Sequence, residues 1–194
     1  MCIRDSNNTI RTTTGETDNW NAIFGGDGFQ PLVDPDNTNV IYALSQRGNL
    51  GKSVNDGASF FSAMSGISSS DRKNWDTPIA FDPADSQTLY YGANRLYKTT
   101  NAAGNWSVIS PDLTDGPYEG NLTFGTIISI SVSPLNSDVI FVGTDDGNLW
   151  TTENGGAFWS NVSASLPNRW VTSVLADPND VNTVYATYSG YRFG

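Results

Sequence analysis

The 194-residue chain contains no histidine and one cysteine, Cys2. Without histidine there is no Ser-His-Asp or Cys-His machinery and no histidine-bearing metal site. One cysteine builds neither a disulfide framework nor a thiolate zinc site within the chain. No metal and no cofactor is expected. Basic residues are also few: 10 Lys and Arg stand against 20 Asp and Glu, a net charge of −10. That balance disfavours nucleic acid and anionic membrane surfaces as partners. No apolar run approaches the roughly 18 residues of a membrane-crossing helix, so no membrane insertion is expected. Glutamate and lysine are scarce, three of each, whereas 17 of the acids are aspartate. Glu and Lys favour helix surfaces, while Asp favours turns and caps. With Gly, Thr, Ser, Asn, Val, Ile and aromatics dominant, the composition predicts many short strands joined by many turns.

What is present is repetition. Four segments share one template: Val33-Asp34-Pro35 to Tyr42, Phe81-Asp82-Pro83 to Tyr90, Val132-Ser133-Pro134 to Phe141, and Ala176-Asp177-Pro178 to Tyr185. The step from Asp or Ser to the aromatic is eight residues in every copy, and the copies recur at intervals of 48, 51 and 44 residues. Each unit opens with an alternating run such as Ile128-Ser129-Ile130-Ser131-Val132, the pattern of a strand with one buried face. The Asp-Pro or Ser-Pro that comes next sets a type I turn, because Pro fixes φ at its second position. A second strand carries the aromatic. A third ends in another turn motif, and a fourth begins with an aromatic.

That second motif is Ser53-Val54-Asn55-Asp56-Gly57-Ala58-Ser59-Phe60. It returns as Thr99-Thr100-Asn101-Ala102-Ala103-Gly104-Asn105-Trp106 and Thr152-Glu153-Asn154-Gly155-Gly156-Ala157-Phe158-Trp159, with a weaker copy over Thr13–Trp20. Over about residues 8–194 the chain resembles the Asp-box or BNR-repeat family, whose pattern is Ser/Thr-x-Asp-x-Gly-x-Thr-Trp. Asn replaces Asp in the three better copies, and Ala103 replaces Gly once. The side chains of Ser53, Asn55, Thr99, Asn101, Thr152 and Asn154 suit bonding to turn backbone, and Gly57 and Gly156 suit positive φ. Phe60, Trp106 and Trp159 suit packing between strands. These positions are expected to stabilise hairpins rather than to catalyse or bind metal.

Four strands per ~45 residues, repeated, predict an all-β fold of β-propeller blades, each a four-stranded antiparallel sheet. A lone blade cannot bury both faces, so neighbours must stack. Blade repeats are expected at about residues 29–62, 76–110, 126–163 and 171–194, within one partial domain over 7–194. About four blades of a seven- or eight-bladed ring are expected. Residues 1–6 fit no repeat and are expected to be a non-native or disordered end. The chain is expected to be a fragment, completed by remaining blades of the same chain or by a second copy.

The loops between strands two and three, and the crossings from strand four to the next blade, share the variable face. Its insertions are Ser62–Trp75, Ser110–Gly125 and Ala164–Trp170. Long loops on a rigid scaffold commonly carry binding. Trp75 and Trp170 each lie seven residues before a turn Asp and are expected at the channel mouth, with Arg72 and Arg169 close by. Arg95, Asp145 and Asp146 join them on that face, as do Arg47, Asn49, Asn94, Tyr191 and Arg192. Aromatic faces beside Arg and Asp suit sugar or peptide binding. Asp145-Asp146-Gly147-Asn148 is expected first as a tight turn.

The leading functional expectation is a secreted module that binds a glycan or protein ligand through the variable face. The aromatic, Asp-rich, Lys-poor composition suits an extracellular or periplasmic setting; the sequons at Asn7, Asn105, Asn121 and Asn161 are triplets that a Thr/Asn/Ser-rich chain forms by chance. One alternative is a glycoside hydrolase, since the resemblance includes sialidases and xyloglucanases and that chemistry needs only two carboxylates. Asp76, Asp115, Glu119, Asp145 and Asp146 all map to the candidate face. The Arg-Ile-Pro signature of sialidases does not occur, and the sequence leans away from an enzyme. The other alternative is an interaction factor resembling sortilin or the photosystem II assembly propeller.

Overall fold

The structure is a computed structural model that describes residues 2–5, 7–117 and 124–190. Among them there is no α-helix, and the one helical element is a 3₁₀ turn at Gln46–Gly48. A first sheet joins β1 (Cys2–Asp5), β2 (Asn8–Arg11) and β3 (Asn21–Gly25). Residues 1–6, expected as a non-native or disordered end, thus include a strand paired antiparallel with Asn8–Arg11. A second sheet holds β4 (Leu32–Val33), β5 (Ile41–Ser45), β6 (Asn49–Ser53) and β7 (Phe61–Ser62) in chain order. The third repeats this with β8 (Ile79–Asp82), β9 (Asp85–Gly92), β10 (Leu96–Thr99) and β11 (Ser107–Val108). The fourth does so with β12 (Ile127–Ser133), β13 (Asn136–Thr144), β14 (Leu149–Thr152) and β15 (Ser160–Asn161). A fifth sheet holds β16 (Val171–Ala176) and β17 (Val184–Tyr188). All pairings are antiparallel. These are up-and-down propeller blades.

The core lies between blades rather than within them. One apolar cluster joins Tyr42, Leu44 and Leu50 of the second blade to Ile79, Tyr91 and Trp106 of the third. Another joins Tyr90 and Leu96 to Ile140, Val142 and Trp159, and a third joins Phe141 and Leu149 to Val171 and Val174. In the three complete blades the second strands are the most enclosed because both their faces meet a neighbour; all five residues of β5 are buried, whereas β17 in the last sheet has none fully buried.

The eight-residue step has a physical cause in two copies. The Tyr90 hydroxyl donates to Asp82 at 3.1 Å and the Tyr185 hydroxyl to Asp177 at 2.9 Å, so each turn carboxylate anchors its own aromatic. The same carboxylates accept backbone N–H groups two residues on, from Ala84 and Asn179. Where the turn residue is Ser133, the aromatic is Phe141, which carries no hydroxyl. The alternation in β12 has a different outcome from the one-sided strand it predicts. Ser129 and Ser131 accept the N–H groups of Val174 and Ala176 at 2.9 Å each, so the serine face stitches β12 to the next innermost strand.

Candidate functional site

A cleft of about 590 Å³ opens where the innermost strands begin. Gln30 and Pro31 lead into β4, Asn74, Asp76 and Pro78 lead into β8, Ile128 belongs to β12, and Trp170 leads into β16. Four blades therefore contribute to one opening, at the mouth of the channel those strands line. Trp170 is half-buried in its wall. Trp75 is 46% exposed and does not line the cleft. Its carbonyl accepts the Arg47 N–H at 3.1 Å, and the Arg47 guanidinium lies 5.8 Å from its ring centroid, a cation–π contact on the outer lip.

Most of the charged candidates hold loops in place. Arg72 donates from Nε to the Gly125 carbonyl at 3.0 Å and from Nη2 to Asp112 and Thr114 at 2.8 Å each. It thereby ties the β7–β8 crossing to the β11–β12 crossing. Arg95 grips Asp71 with two bonds of 2.8 and 2.9 Å, joined by the Tyr97 hydroxyl. Burial alone would raise the Asp71 carboxyl, but the bonds from Arg95 and Tyr97 outweigh it and hold the group below the usual carboxylate range.

Asp145 and Asp146, expected on an exposed loop, are buried. The reason is that the neighbouring crossing needs acceptors for its backbone. Asp145 accepts the N–H groups of Phe124 at 2.6 Å and Thr126 at 2.9 Å, the Thr126 hydroxyl at 3.0 Å, and Asn74 Nδ2 at 3.4 Å. Burial pushes its carboxyl up, against those bonds. Asp146 accepts the Asp115 N–H at 2.7 Å and Asn148 Nδ2 at 3.0 Å, and it also bonds the Thr144 hydroxyl. Arg169 lies on the β15–β16 crossing, where its N–H donates to the Pro167 carbonyl. Its backbone is packed so closely on Gly147 that a Cβ there would come within 2.9 Å of it. Glu119, Tyr191, Arg192 and the Asn121 sequon lie outside the described residues.

Composition and spacing did not single out Asn74. It is buried, donates to Thr126 Oγ1 at 2.9 Å as well as to Asp145, and accepts the Asp76 N–H at 3.3 Å. It therefore sets the backbone that carries Asp76 into the cleft. The available signal was its position, directly before Trp75 on the approach to an innermost strand.

The second repeated turn is built alike in all three complete blades. The Ser53, Thr99 and Thr152 hydroxyls donate to Asn55, Asn101 and Asn154 at 2.8–2.9 Å. The same asparagine oxygen accepts the N–H four residues on, from Ser59, Asn105 or Phe158. Only an acceptor oxygen is needed there, which Asn supplies as well as Asp. In the first sheet the hydroxyl of Thr12, one residue before the expected start, accepts the Gly15 N–H at 3.0 Å. Among the described residues no cluster of acids and cysteine is arranged to hold a metal ion.

No family model matches the chain. It is 31% identical over 175 residues to a xyloglucanase of Hypocrea jecorina, covering 81% of this chain and 20% of that protein. It is 25% identical over 203 residues to an oligoxyloglucan-reducing end-specific xyloglucanase of Emericella nidulans, covering 94% of this chain and 25% of that protein. The chain thus spans about a fifth to a quarter of the length of these relatives. The solved GH74 enzyme of Niastella koreensis superposes with a TM-score of 0.69 at 19% identity, over 93% of this chain and 33% of that one. These matches back the hydrolase alternative better than the binding module expected first, and they do not support the lean away from an enzyme. By sequence and by blade architecture, the chain is related to glycoside-hydrolase propellers.

Proposed function

We propose that this chain is the sugar-holding part of a xyloglucan-cleaving propeller. The observation that carries this reading is the channel-mouth cleft, where Trp170 and Asp76 arrive from two different innermost-strand approaches. The flat apolar face of a sugar ring suits an indole wall, and the cleft's size lies in the range of small-ligand sites. Asp76 is the carboxylate that lines this cleft among the described residues. Glycosidic cleavage takes two carboxylates, about 5 to 9.5 Å apart according to stereochemistry. In this reading holding the glycan is this chain's own contribution, and cleavage belongs to a fuller ring. An extracellular or periplasmic setting suits such a substrate. Trp75, outside the cleft, extends the aromatic lip.

The test is affinity electrophoresis of the chain in xyloglucan gels. Trp170→Ala is expected to weaken retention about tenfold with an unchanged melting temperature, in line with the loss of one aromatic stacking partner. Retention equal to the parent's overturns the assignment of the cleft. A parallel fall in melting temperature and retention assigns Trp170 to blade packing instead.

A further inference from the structure

The blade repeat supplies an internal control. Ser59, Asn105 and Phe158 occupy the same place, just before the terminal aromatic of the turn. Their N–H groups donate to the turn asparagine at 3.0, 3.0 and 2.9 Å. The turn thus uses only their backbone. Two of the three side chains are polar, as solvent exposure favours. Phe158 is aromatic and 69% exposed.

The surroundings differ with it. Between the second and third blades, the crossing chain lies down on the turn. Trp106 N–H donates to the Ser65 carbonyl at 2.8 Å, and the Ser65 hydroxyl donates to Asn105 Oδ1 at 3.3 Å. The approach is so close that a Cβ on Gly66 would come 2.2 Å from the Trp106 carbonyl. Between the third and fourth blades, the crossing leaves at Ser110 and Pro111, and a groove of about 620 Å³ stays open with Phe158 on its wall. Both walls belong to complete blades. The floor is fixed, because Trp159 Nε1 donates to the Ile109 carbonyl at 2.9 Å. The groove and the channel-mouth cleft share no lining residue.

We propose that this groove is a second sugar site, where one ring of a neutral polysaccharide stacks on Phe158; the inference rests on the glycan reading above. No residue lining the groove is charged, while the chain carries a net charge of −10. That combination suits a neutral polymer and repels an anionic one. The volume falls within the roughly 300–1,000 Å³ of small-ligand sites. A stable protein partner needs about 800 Å² of matched surface on each side, well beyond one groove between two turns. The site anchors the polymer on one blade junction while the cleft holds another stretch.

The experiment compares the full chain with Phe158→Ser, which places there the residue type of Ser59, and with Trp170→Ala. Retention is measured in xyloglucan gels, and calorimetric stoichiometry with a xyloglucan heptasaccharide. Phe158→Ser is expected to keep the parent's melting temperature, to weaken retention roughly five- to tenfold, and to remove one of two calorimetric binding events. Phe158→Trp restores both. Parent-like retention in Phe158→Ser, with Trp170→Ala impaired, overturns the groove and leaves the cleft standing. The reverse overturns the cleft and leaves the groove. If the parent itself shows no binding, both are overturned. Concentration-dependent self-association that Phe158→Ser abolishes also overturns the sugar assignment, because the groove then seats a second copy.

Discussion

At the junction of the second and third blades, Trp106 Nε1 donates to the Ala63 carbonyl at 2.8 Å. At the junction of the third and fourth, Trp159 Nε1 donates to the Ile109 carbonyl at 2.9 Å. Each acceptor is the first residue after the preceding blade's outermost strand, so the latch is the same. Beyond the latch the two junctions part. The first crossing is closed over its turn and then clamped by Arg95, Tyr97 and Asp71. The second leaves a groove and is held further on by Asp145 and Asp146, which accept backbone N–H groups. The repeat thus fixes the blade-to-blade latch and leaves the crossings free to differ.

The largest effect should come from breaking the latches. Trp106 is almost fully buried in the cluster between its blades, and Trp106→Ala is expected to cost about 3–5 kcal/mol. Trp159 borders the open groove, so Trp159→Ala should fall at or below the lower end of that range. Urea denaturation of both variants decides. Equal costs would mean that the groove does not loosen the second junction.

A smaller effect should separate the turns themselves. Each holds two successive left-handed residues: Asp56 and Gly57, Ala102 and Ala103, Gly155 and Gly156. Ala103, at φ 62°, shows that the second place accepts a Cβ where there is room. A Cβ on Gly57 would meet the flexible end of Ile23 at 3.1 Å, whereas one on Gly156 would meet the rigid Ile109 carbonyl at 2.6 Å. Gly57→Ala is therefore expected to cost about 1 kcal/mol from the backbone conformation, and Gly156→Ala about 2 kcal/mol or more. Matching melting temperatures for the two variants would contradict the close approach at the second junction.

These features divide cleanly by how local they are. The blades were legible because period-two alternation, Asp-Pro turns and the Ser/Thr-x-Asn turns are short-range signals repeated at near-constant spacing. The terminal aromatics at Trp106 and Trp159 were legible as packing residues for the same reason. The alternation of β12, read as a strand with one buried face, did not show its second contact, because the partners of Ser129 and Ser131 lie 45 residues away on β16. The clamps failed in the same manner. Asp145 looks like an exposed turn acid until Phe124 and Thr126 are brought to it. At the mouth, Trp170 was legible from its offset to a turn Asp. The equal offset of Trp75 did not place its ring in the cleft, since Asn74 and Asp76 turn inward on either side of it. Offsets along the chain fix a residue's height on the blade. They do not fix which side of the crossing it faces.

The smallest expected effect is electrostatic, and the two crossings should show it with opposite sign. Asp71 is held below the usual range by Arg95 and Tyr97 despite its burial. Its contribution to stability is complete above the unfolded value near about 4 and is lost as pH falls through the folded value. Asp145 is raised, by burial first, with Asp146 adding to the rise against the bonds from Thr126 and Phe124. The folded state then holds its proton more tightly than the unfolded chain does. Its contribution is greatest at low pH and declines as pH rises from about 4 through the raised value. Stability profiles between pH 2 and 7 should therefore diverge. The deficit of Asp71→Ala relative to the parent should shrink on acidification, by about 1 kcal/mol or less given the partly exposed Arg95. The deficit of Asp145→Ala should widen over the same interval. Deficits that move together would show that both crossings are clamped by carboxylates in the same electrostatic state, and the contrast between the junctions would then reduce to their packing.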